Sequence, residues 1–286
     1  MPELPEVQTM SDDLNKKVIG KTIADFGSEW KRRVRPNFTQ FRRRIVGRKI
    51  IKTKRIGKCI VAELDSKDAV VMHMKMTGHL LFKSEGKNVA ENEFFWEKVN
   101  GYVRHWFVFK DKSRLEFSDL RKFGWLNVVA KEEVGKMKEI SQLGIDALDK
   151  RLDYKKFNQL LSQKPKGVIG TVLLDQKWIS GIGNIYRSEI LFGAKIIPNR
   201  AVKSLTSKEK KDLFKKTRKI LKKAVKMRGT SDSDYRDTFG KKGTFQNVLK
   251  VYRREGQKCQ RKGCKGTIKR EKIAQRSAFF CSKCQK

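Results

Sequence analysis

The first three residues, Met1-Pro2-Glu3, contain the two kinds of group that a covalent mechanism needs. Because proline is small, we expect an aminopeptidase to remove Met1 and leave Pro2 as a free secondary amine. Such an amine can attack the C1′ atom of a sugar and form a charged iminium, as lysines do when they form Schiff bases. Glu3 can protonate a departing ring oxygen or base. Residue types alone favour a simpler interpretation, in which both residues only begin a helix.

Four of the five cysteines lie in two close pairs near the end of the chain. Cys259 and Cys264 are followed, after sixteen residues, by Cys281 and Cys284. This spacing is typical of one structural, tetrahedral Zn²⁺ held by a short β-hairpin. Two disulfides could use the same thiols, but an intracellular setting argues against them. Cys59 lies in an apolar run and is interpreted as a small buried hydrophobe.

The composition predicts a polyanionic partner. Lysine and arginine number 68 against 31 aspartates and glutamates, a formal net charge of +37 over 286 residues. Nucleic acid is the usual reason for so basic a folded chain, although an acidic membrane surface or a lysine-rich proteome also fits. There is neither an apolar run of membrane-spanning length nor a signal-peptide pattern. We therefore expect a cytoplasmic, nucleoid-associated protein that makes no use of the membrane.

Short apolar or alternating runs predict a β-rich first half. Residues 1–16 are predicted to be helical after Pro5, a good first-turn residue. The predicted strands are Thr22 to Phe26, Ile45 to Ile51, Cys59 to Leu64, Val70 to Met74, Trp106 to Phe109, Arg114 to Phe117 and Trp125 to Val129. Such a series is typical of a sandwich or barrel.

Helical patterns predominate after Lys131. Helices are predicted over residues 152–162, 169–175 and 185–192, and a fourth from the capping box at residues 206–209 to Gly229. The outer face of the fourth helix is almost all lysine, which either solvation or contact with DNA explains. Residues 229–247 are polar and glycine-rich, and a loop of this length is usually functional or mobile.

Seven segments, in order along the chain, together resemble one family. They are MPELPEVQT, RIGKCIVAEL, HMKMTG, SDLRKFG, DQKWISGIGNIYRSEILFGA, VYRREG and AQRSAFFCSKCQK. The family is that of formamidopyrimidine-DNA glycosylase and endonuclease VIII, and the resemblance covers essentially the whole chain. It implies an α+β multidomain fold: an N-terminal β-sandwich with flanking helices (1–135), a linker (136–152), a helix–two-turn–helix DNA-binding domain (153–250) and a zinc hairpin (251–286).

The resemblance implies a bifunctional DNA glycosylase and AP lyase of base excision repair. Its partner would be duplex DNA with oxidised bases or abasic sites, and the protein would be a monomer. Pro2 matches the family's nucleophile and Glu3 its general acid. Lys58 matches the proton donor of β-elimination, which also contacts phosphate. Arg276 matches the arginine assigned to δ-elimination and to the phosphates beside the lesion.

Other positions match DNA contacts of the family. His73, Asn184 and Tyr252 match residues that grip phosphates, and a helix start after a glycine turn, as at Asn184, offers N–H groups to an anion. Lys166 corresponds to a family lysine through a loose alignment.

Met76, Arg121 and Phe123 match the wedge that fills the space left by an extruded nucleotide. Without the resemblance, Met76 and Phe123 would be interpreted as core residues.

The chain also departs from the family's patterns. The first cysteine pair is C-x4-C where C-x2-C is usual, and residues 119–124 read DLRKFG where the family has DPRRFG. Residues 143–147 read LGIDA in place of LGPEP. Residues 229–247 have the length of the loop that covers 8-oxoguanine in the family, but not its sequence.

The start PELPEV favours excision of oxidised purines such as 8-oxoguanine and formamidopyrimidines. Three alternatives stay open. One is an endonuclease VIII-like enzyme that prefers oxidised pyrimidines, and another is an inactive relative that only binds damaged DNA. The third is a ribosomal or transcription protein with a zinc ribbon, which would have no reason for the N-terminal Pro-Glu.

Overall fold

The computed structural model describes residues 1–85 and 93–286 and divides into two compact units. The first is formed by Met1–Ser141 and Met227–Gln246, and the second by Gln142–Lys226 and Asn247–Lys286. The segment Met227–Gln246 thus belongs to the first unit, although it follows helices of the second. The domain boundaries 1–135, 136–152, 153–250 and 251–286 describe functional modules, and they stay a prediction.

Helix α1 (Leu4–Lys17) begins the first unit because its N-terminus is capped by a side chain. The backbone N–H of Glu3 donates to Oε2 of Glu6 at 2.8 Å, one half of a capping box. Its apolar positions recur at helical spacing and are fully buried: Leu4, Val7, Met10 and Leu14. The helix predicted over residues 1–16 is confirmed.

Two sheets of the first unit form the predicted sandwich. Its strands are β1 (Ile23–Ser28), β2 (Val34–Arg35), β3 (Ile50–Ile56), β4 (Cys59–Leu64), β5 (Asp68–His73), β6 (His79–Lys83), β7 (Val103–Phe109), β8 (Arg114–Ser118) and β9 (Trp125–Ala130). One sheet has the order β1-β7-β8-β6 and the other β2-β9-β5-β4-β3. Phe26, Phe107 and Phe117 belong to the core that the strands share with α1.

The strand predicted over residues 45–51 is wrong in its first half. Asn37 caps a helix, α2 (Phe38–Ile45), by accepting the backbone N–H of Gln40 at 2.9 Å. Phe41 and Ile45 are buried four residues apart, which is a helical period. Strand β3 begins only at Ile50, and the short helix α3 (Lys138–Ser141) ends the unit's first segment.

The second unit is mainly helical. Its elements are β10 (Ile145–Asp146), α4 (Tyr154–Ser162), α5 (Ile169–Val172), β11 (Ile179–Ser180), α6 (Asn184–Ala194), α7 (Ser207–Lys226), β12 (Ile268–Ile273) and β13 (Arg276–Cys281). Helix α6 packs against α7 and against strand β13 of the hairpin. The predicted capping box is present, because Thr206 and Glu209 each accept the other's backbone N–H. No helix among the described residues is long and apolar enough to cross a membrane.

Candidate active site and DNA interface

Pro2 and Glu3 lie at the buried start of α1. Met1 is 38% exposed, whereas Glu3 is only 2% exposed, and Pro2 is also buried. A processing enzyme can therefore reach Met1. Its removal would leave the nitrogen of Pro2 as a free secondary amine next to a buried carboxyl group, and a free amine is what iminium chemistry requires.

Glu6 is buried, and its residue type and place in the PELPEV motif do not by themselves indicate a functional contact. Its Oε1 accepts the backbone N–H of Thr230 at 2.7 Å, and its Oε2 accepts that of Glu3. One signal in the sequence could have found half of this arrangement, because Glu6 stands three residues after Glu3, the spacing of a capping box. Nothing in the sequence around Glu6 indicates its contact with Thr230, which lies 224 residues later in the chain.

Lys58 and His73 lie at the same end of the neighbouring strands β4 and β5. Lys58 lies in the turn between β3 and β4, and His73 at the end of β5 pairs with the next residue, Cys59. Burial, reinforced by Lys75 and Lys58, lowers the pKa of His73 to about 3. Because Nδ1 accepts the backbone N–H of Lys75 at 2.9 Å, the proton of the neutral ring lies on Nε2. His73 can thus donate to an anion without carrying charge.

Asp119 joins the loop of Met76 to the loop of Arg121 and Phe123. Its carboxylate accepts the hydroxyl of Thr77 and, at 3.2 Å, the backbone N–H of Arg121. The guanidinium carbon of Arg121 lies 4.7 Å from the ring centroid of Phe123. Phe123 is 42% exposed and Met76 is half-buried, so Phe123 is not a core residue. Exposed apolar and cationic groups on two linked loops can enter a gap in a base stack.

Residues 229–247, predicted to be a functional or mobile loop, fall almost entirely within the segment Met227–Gln246 of the first unit. Arg228 donates to Asp13 at 2.5 Å and to Asp237 at 2.6 Å, and both carboxylates are buried. Tyr235 belongs to the core of the sandwich. The segment is held by buried ion pairs and apolar contacts, neither of which its polar composition indicates.

In the second unit, Asn184, Tyr252 and Arg276 line one open groove of about 650 Å³. Asn184 is the first residue of α6, and its Nδ2 donates to the carbonyl oxygen of Ser277 at 3.0 Å. Arg276 is exposed at the start of β13. A helix N-terminus beside an arginine suits a phosphate group.

A buried carboxylate positions Tyr252. Glu189 accepts the backbone N–H groups of Lys250, Val251 and Tyr252, each at 2.9 Å. The ring of Tyr252 lies edge-on to Phe279, with 5.1 Å between centroids. Tyr252 is therefore held at its backbone by Glu189 and at its ring by Phe279. Glu189 was not singled out from the sequence, since nothing local distinguishes it from other helical glutamates.

The four C-terminal cysteines converge. All four Sγ atoms lie within 4.8 Å of one another, and the cross pairs Cys259–Cys284 and Cys264–Cys281 are 3.8 and 3.6 Å apart. Disulfides require sulfur atoms about 2.05 Å apart. Zn–S bonds of about 2.3 Å in a tetrahedron place sulfurs roughly 3.8 Å apart. The geometry fits one zinc and excludes the disulfide alternative.

Gly266 makes this convergence possible, because a Cβ at that position would lie 2.7 Å from Sγ of Cys281. Cys59 is 2% exposed and burial raises its pKa to about 12, which confirms it as an inert buried residue.

Lys166 lies in the exposed turn between α4 and α5 and does not line the groove of Asn184.

Models of three protein domains match the chain. They are the formamidopyrimidine-DNA glycosylase N-terminal domain (residues 1–126), the formamidopyrimidine-DNA glycosylase H2TH domain (143–236) and a zinc finger found in FPG and IleRS (256–286). Their order agrees with a β-sandwich, a helical module and a cysteine hairpin.

Curated relatives and solved structures match over the full length. The formamidopyrimidine-DNA glycosylases of Carboxydothermus hydrogenoformans and Heliobacterium modesticaldum are 38% and 36% identical, with complete coverage of both chains. Lactococcus lactis Fpg bound to DNA containing an abasic site is 29% identical, with a TM-score of 0.84 over 98% of this chain and 97% of that one. The same Fpg bound to DNA with an oxidised pyrimidine has the same identity and TM-score, over 98% of each chain.

Proposed function

Because the chain belongs to the formamidopyrimidine-DNA glycosylase family, we propose that it excises oxidised purines through its N-terminal proline and then cleaves the strand by β,δ-elimination. It is a DNA glycosylase of base excision repair, and AP lyase activity is a property of the family. Its partner is DNA with abasic sites or oxidised bases, and one structural Zn²⁺ is its metal.

The burial of Pro2 and Glu3 behind an exposed Met1 carries the proposal. Once Met1 is removed, the nitrogen of Pro2 forms a bond to C1′ of the damaged nucleotide, and the base leaves with the electrons of the glycosidic bond. Opening of the sugar ring gives the iminium, and Glu3 donates the proton that the ring oxygen takes up.

Strand cleavage follows from the acidity that the iminium confers on C2′. Loss of a C2′ proton expels the 3′ phosphate, and we assign to Lys58 the proton donation and a phosphate contact in this β-elimination. We assign to Arg276 the second, δ-elimination and contact with the phosphates beside the lesion.

We propose that phosphates are held by His73, Asn184 and Tyr252. His73 would donate through Nε2 in its neutral form, as its low pKa requires. We also propose that Lys166, which lies outside the groove of Asn184, contacts DNA. The zinc held by Cys259, Cys264, Cys281 and Cys284 would stabilise the hairpin that presents Arg276.

Met76, Arg121 and Phe123 are proposed to fill the duplex after the damaged nucleotide is extruded. The exposure of Phe123 and its stacking beside Arg121 support this role, because an exposed aromatic ring gains stability by entering the base stack.

We propose oxidised purines, and not oxidised pyrimidines, as the substrate class, because the start PELPEV matches the purine branch of the family. A preference for pyrimidines is the second candidate, since a Lactococcus lactis Fpg structure holds an oxidised pyrimidine.

We also propose that the protein acts at the nucleoid in the cytoplasm, and that the modules 1–135, 153–250 and 251–286 act as separate DNA-contacting parts.

Borohydride trapping on abasic duplex DNA tests the proposal. The wild-type protein without Met1 should form a covalent complex at Pro2, and Pro2→Gly should trap far less. Pro5→Ala, a matched change three residues along, should trap like the wild type. Equal trapping by Pro2→Gly, or by protein that retains Met1, would move the nucleophile to a lysine such as Lys58. Rates on 8-oxoguanine and thymine glycol duplexes then decide the lesion class.

A further inference from the structure

Six lysines follow one line along α7. They are Lys208, Lys211, Lys215, Lys219, Lys222 and Lys226, and all are exposed. Steps of three or four residues keep them within an arc of roughly 80° over about 27 Å of helix. Within the described part of the chain, none of the six side chains forms an ion pair or hydrogen bond. We name this row the lysine stripe.

The lysine stripe lies opposite the face by which α7 packs. The residues that α7 buries are Leu213, Thr217, Leu221 and Ala224, centred half a turn away from the stripe. Helix α7 packs on α6. The first residue of α6, Asn184, lines the groove that also contains Tyr252 and Arg276. No residue of α7 lines that groove, so the stripe is a separate surface of the same unit.

The uniform sign of the stripe is unfavourable for an isolated helix. Lysines three or four residues apart repel each other, whereas glutamates in alternation would stabilise a solvated face. The helix has only two acidic residues: Glu209 is bound to Arg200 at 2.5 Å, and Asp212 flanks the stripe. A polyanion laid along the stripe would remove the repulsion.

We propose that the lysine stripe binds the phosphate backbone of duplex DNA outside the lesion groove and holds the enzyme on undamaged DNA. A length of about 27 Å matches roughly eight base pairs of duplex, at 3.4 Å of helix axis each. The choice of DNA over other polyanions rests on the proposed function. The stripe touches no reacting group, so it should affect residence on DNA and not chemistry.

Two variants with the same net charge distinguish the effect of the lysine stripe on DNA binding from the effect of net charge alone. The first carries Lys211→Gln, Lys215→Gln, Lys219→Gln and Lys222→Gln. The control carries Lys49→Gln, Lys67→Gln, Lys110→Gln and Lys138→Gln, four exposed lysines of the first unit. Glutamine keeps good helix propensity, so both should fold, which circular dichroism checks.

Binding to a long undamaged duplex is measured across a range of salt concentrations, with single-turnover excision from a short lesion duplex alongside. The stripe variant should bind at least about tenfold more weakly, and its salt slope should fall by up to about 3.6, at 0.9 for each phosphate contact. Arginine at the same four positions should restore both. Excision at saturating protein should be unchanged.

Equal weakening by the control variant, or unchanged binding by the stripe variant, would overturn the proposal. A wild-type protein that binds DNA but excises no lesion would instead contradict the proposed function, and it would leave the stripe's binding test intact.

Discussion

Glu6 and Thr230, 224 residues apart, are joined by a hydrogen bond of 2.7 Å in which the backbone N–H of Thr230 donates to the carboxylate. The other carboxylate oxygen accepts the backbone N–H of Glu3. Gly229 lies against this carboxylate with a φ of +80°, and a Cβ there would come within 2.8 Å of it. One buried side chain thus connects the start of α1 to the segment Met227–Gln246.

Glu6→Ala should destabilise the protein. Two buried N–H groups lose their acceptor, at about 1–3 kcal/mol for each group left unsatisfied. Urea unfolding measures the loss. Glu6→Gln keeps one acceptor oxygen and should cost clearly less, and equal costs for the two variants would show that the hydrogen bonds contribute little.

Arg121→Ala should reduce discrimination between opposite bases by about 1–3 kcal/mol, the scale of a good base-edge contact. A guanidinium offers only donors, and cytosine presents two acceptors where adenine presents one acceptor and an opposing donor. Cleavage of 8-oxoguanine paired with C, T, G and A, at two salt concentrations, provides the measurement. A uniform loss across the four pairs would mean that Arg121 contacts only phosphate.

Cys281→Ser should abolish zinc binding and DNA affinity together, because the hairpin has little apolar core without the metal. Cys59→Ser is the matched control and should retain one zinc per chain, since Cys59 lies in the first unit. Metal analysis and a DNA-binding assay on both proteins test this. Full affinity in zinc-free protein would refute the structural role of the metal.

Acid should destabilise the protein in part through His105. Burial, followed by the charge of Arg104, lowers its pKa from 6.5 to about 4. Below pH 6.5 the unfolded chain therefore binds a proton that the folded chain does not, and stability falls as the pH drops towards 4. The loss between pH 7 and 5 is about 2 kcal/mol for one such group.

His105→Gln should remove this part of the pH dependence, even if the loss of the bond between Nδ1 and Ser28 Oγ lowers stability at every pH. Unfolding at a series of pH values compares the two proteins. The same slope in both would contradict a titration at His105.

Local chemistry made much of the fold predictable. The capping box at Thr206 and the cysteine spacing act over a few residues, so short patterns reveal them. The apolar residues around Ile45 resembled a strand because helix and strand patterns overlap in short runs. The exposure of Phe123 was unpredictable from residue type, because hydrophobicity does not determine which apolar side chains remain at the surface.

The contacts of the segment Met227–Gln246 could not be predicted in this way. The partners of Arg228 include Asp13, 215 residues earlier, and only tertiary packing brings them together. A polar, glycine-rich composition is typical of a loop and carries no information about buried ion pairs at its ends.

The placement of Met227–Gln246 in the first unit also dictates an order of events during synthesis. The sandwich lacks Tyr235 and the partner of Asp13 until the ribosome has passed Gln246. At about 5–20 residues per second, the chain spends roughly 5–20 s between Ser141 and that point. The N-terminal unit is thus finished after most of the second has emerged, and fragments cut at Ser141 will carry an incomplete core.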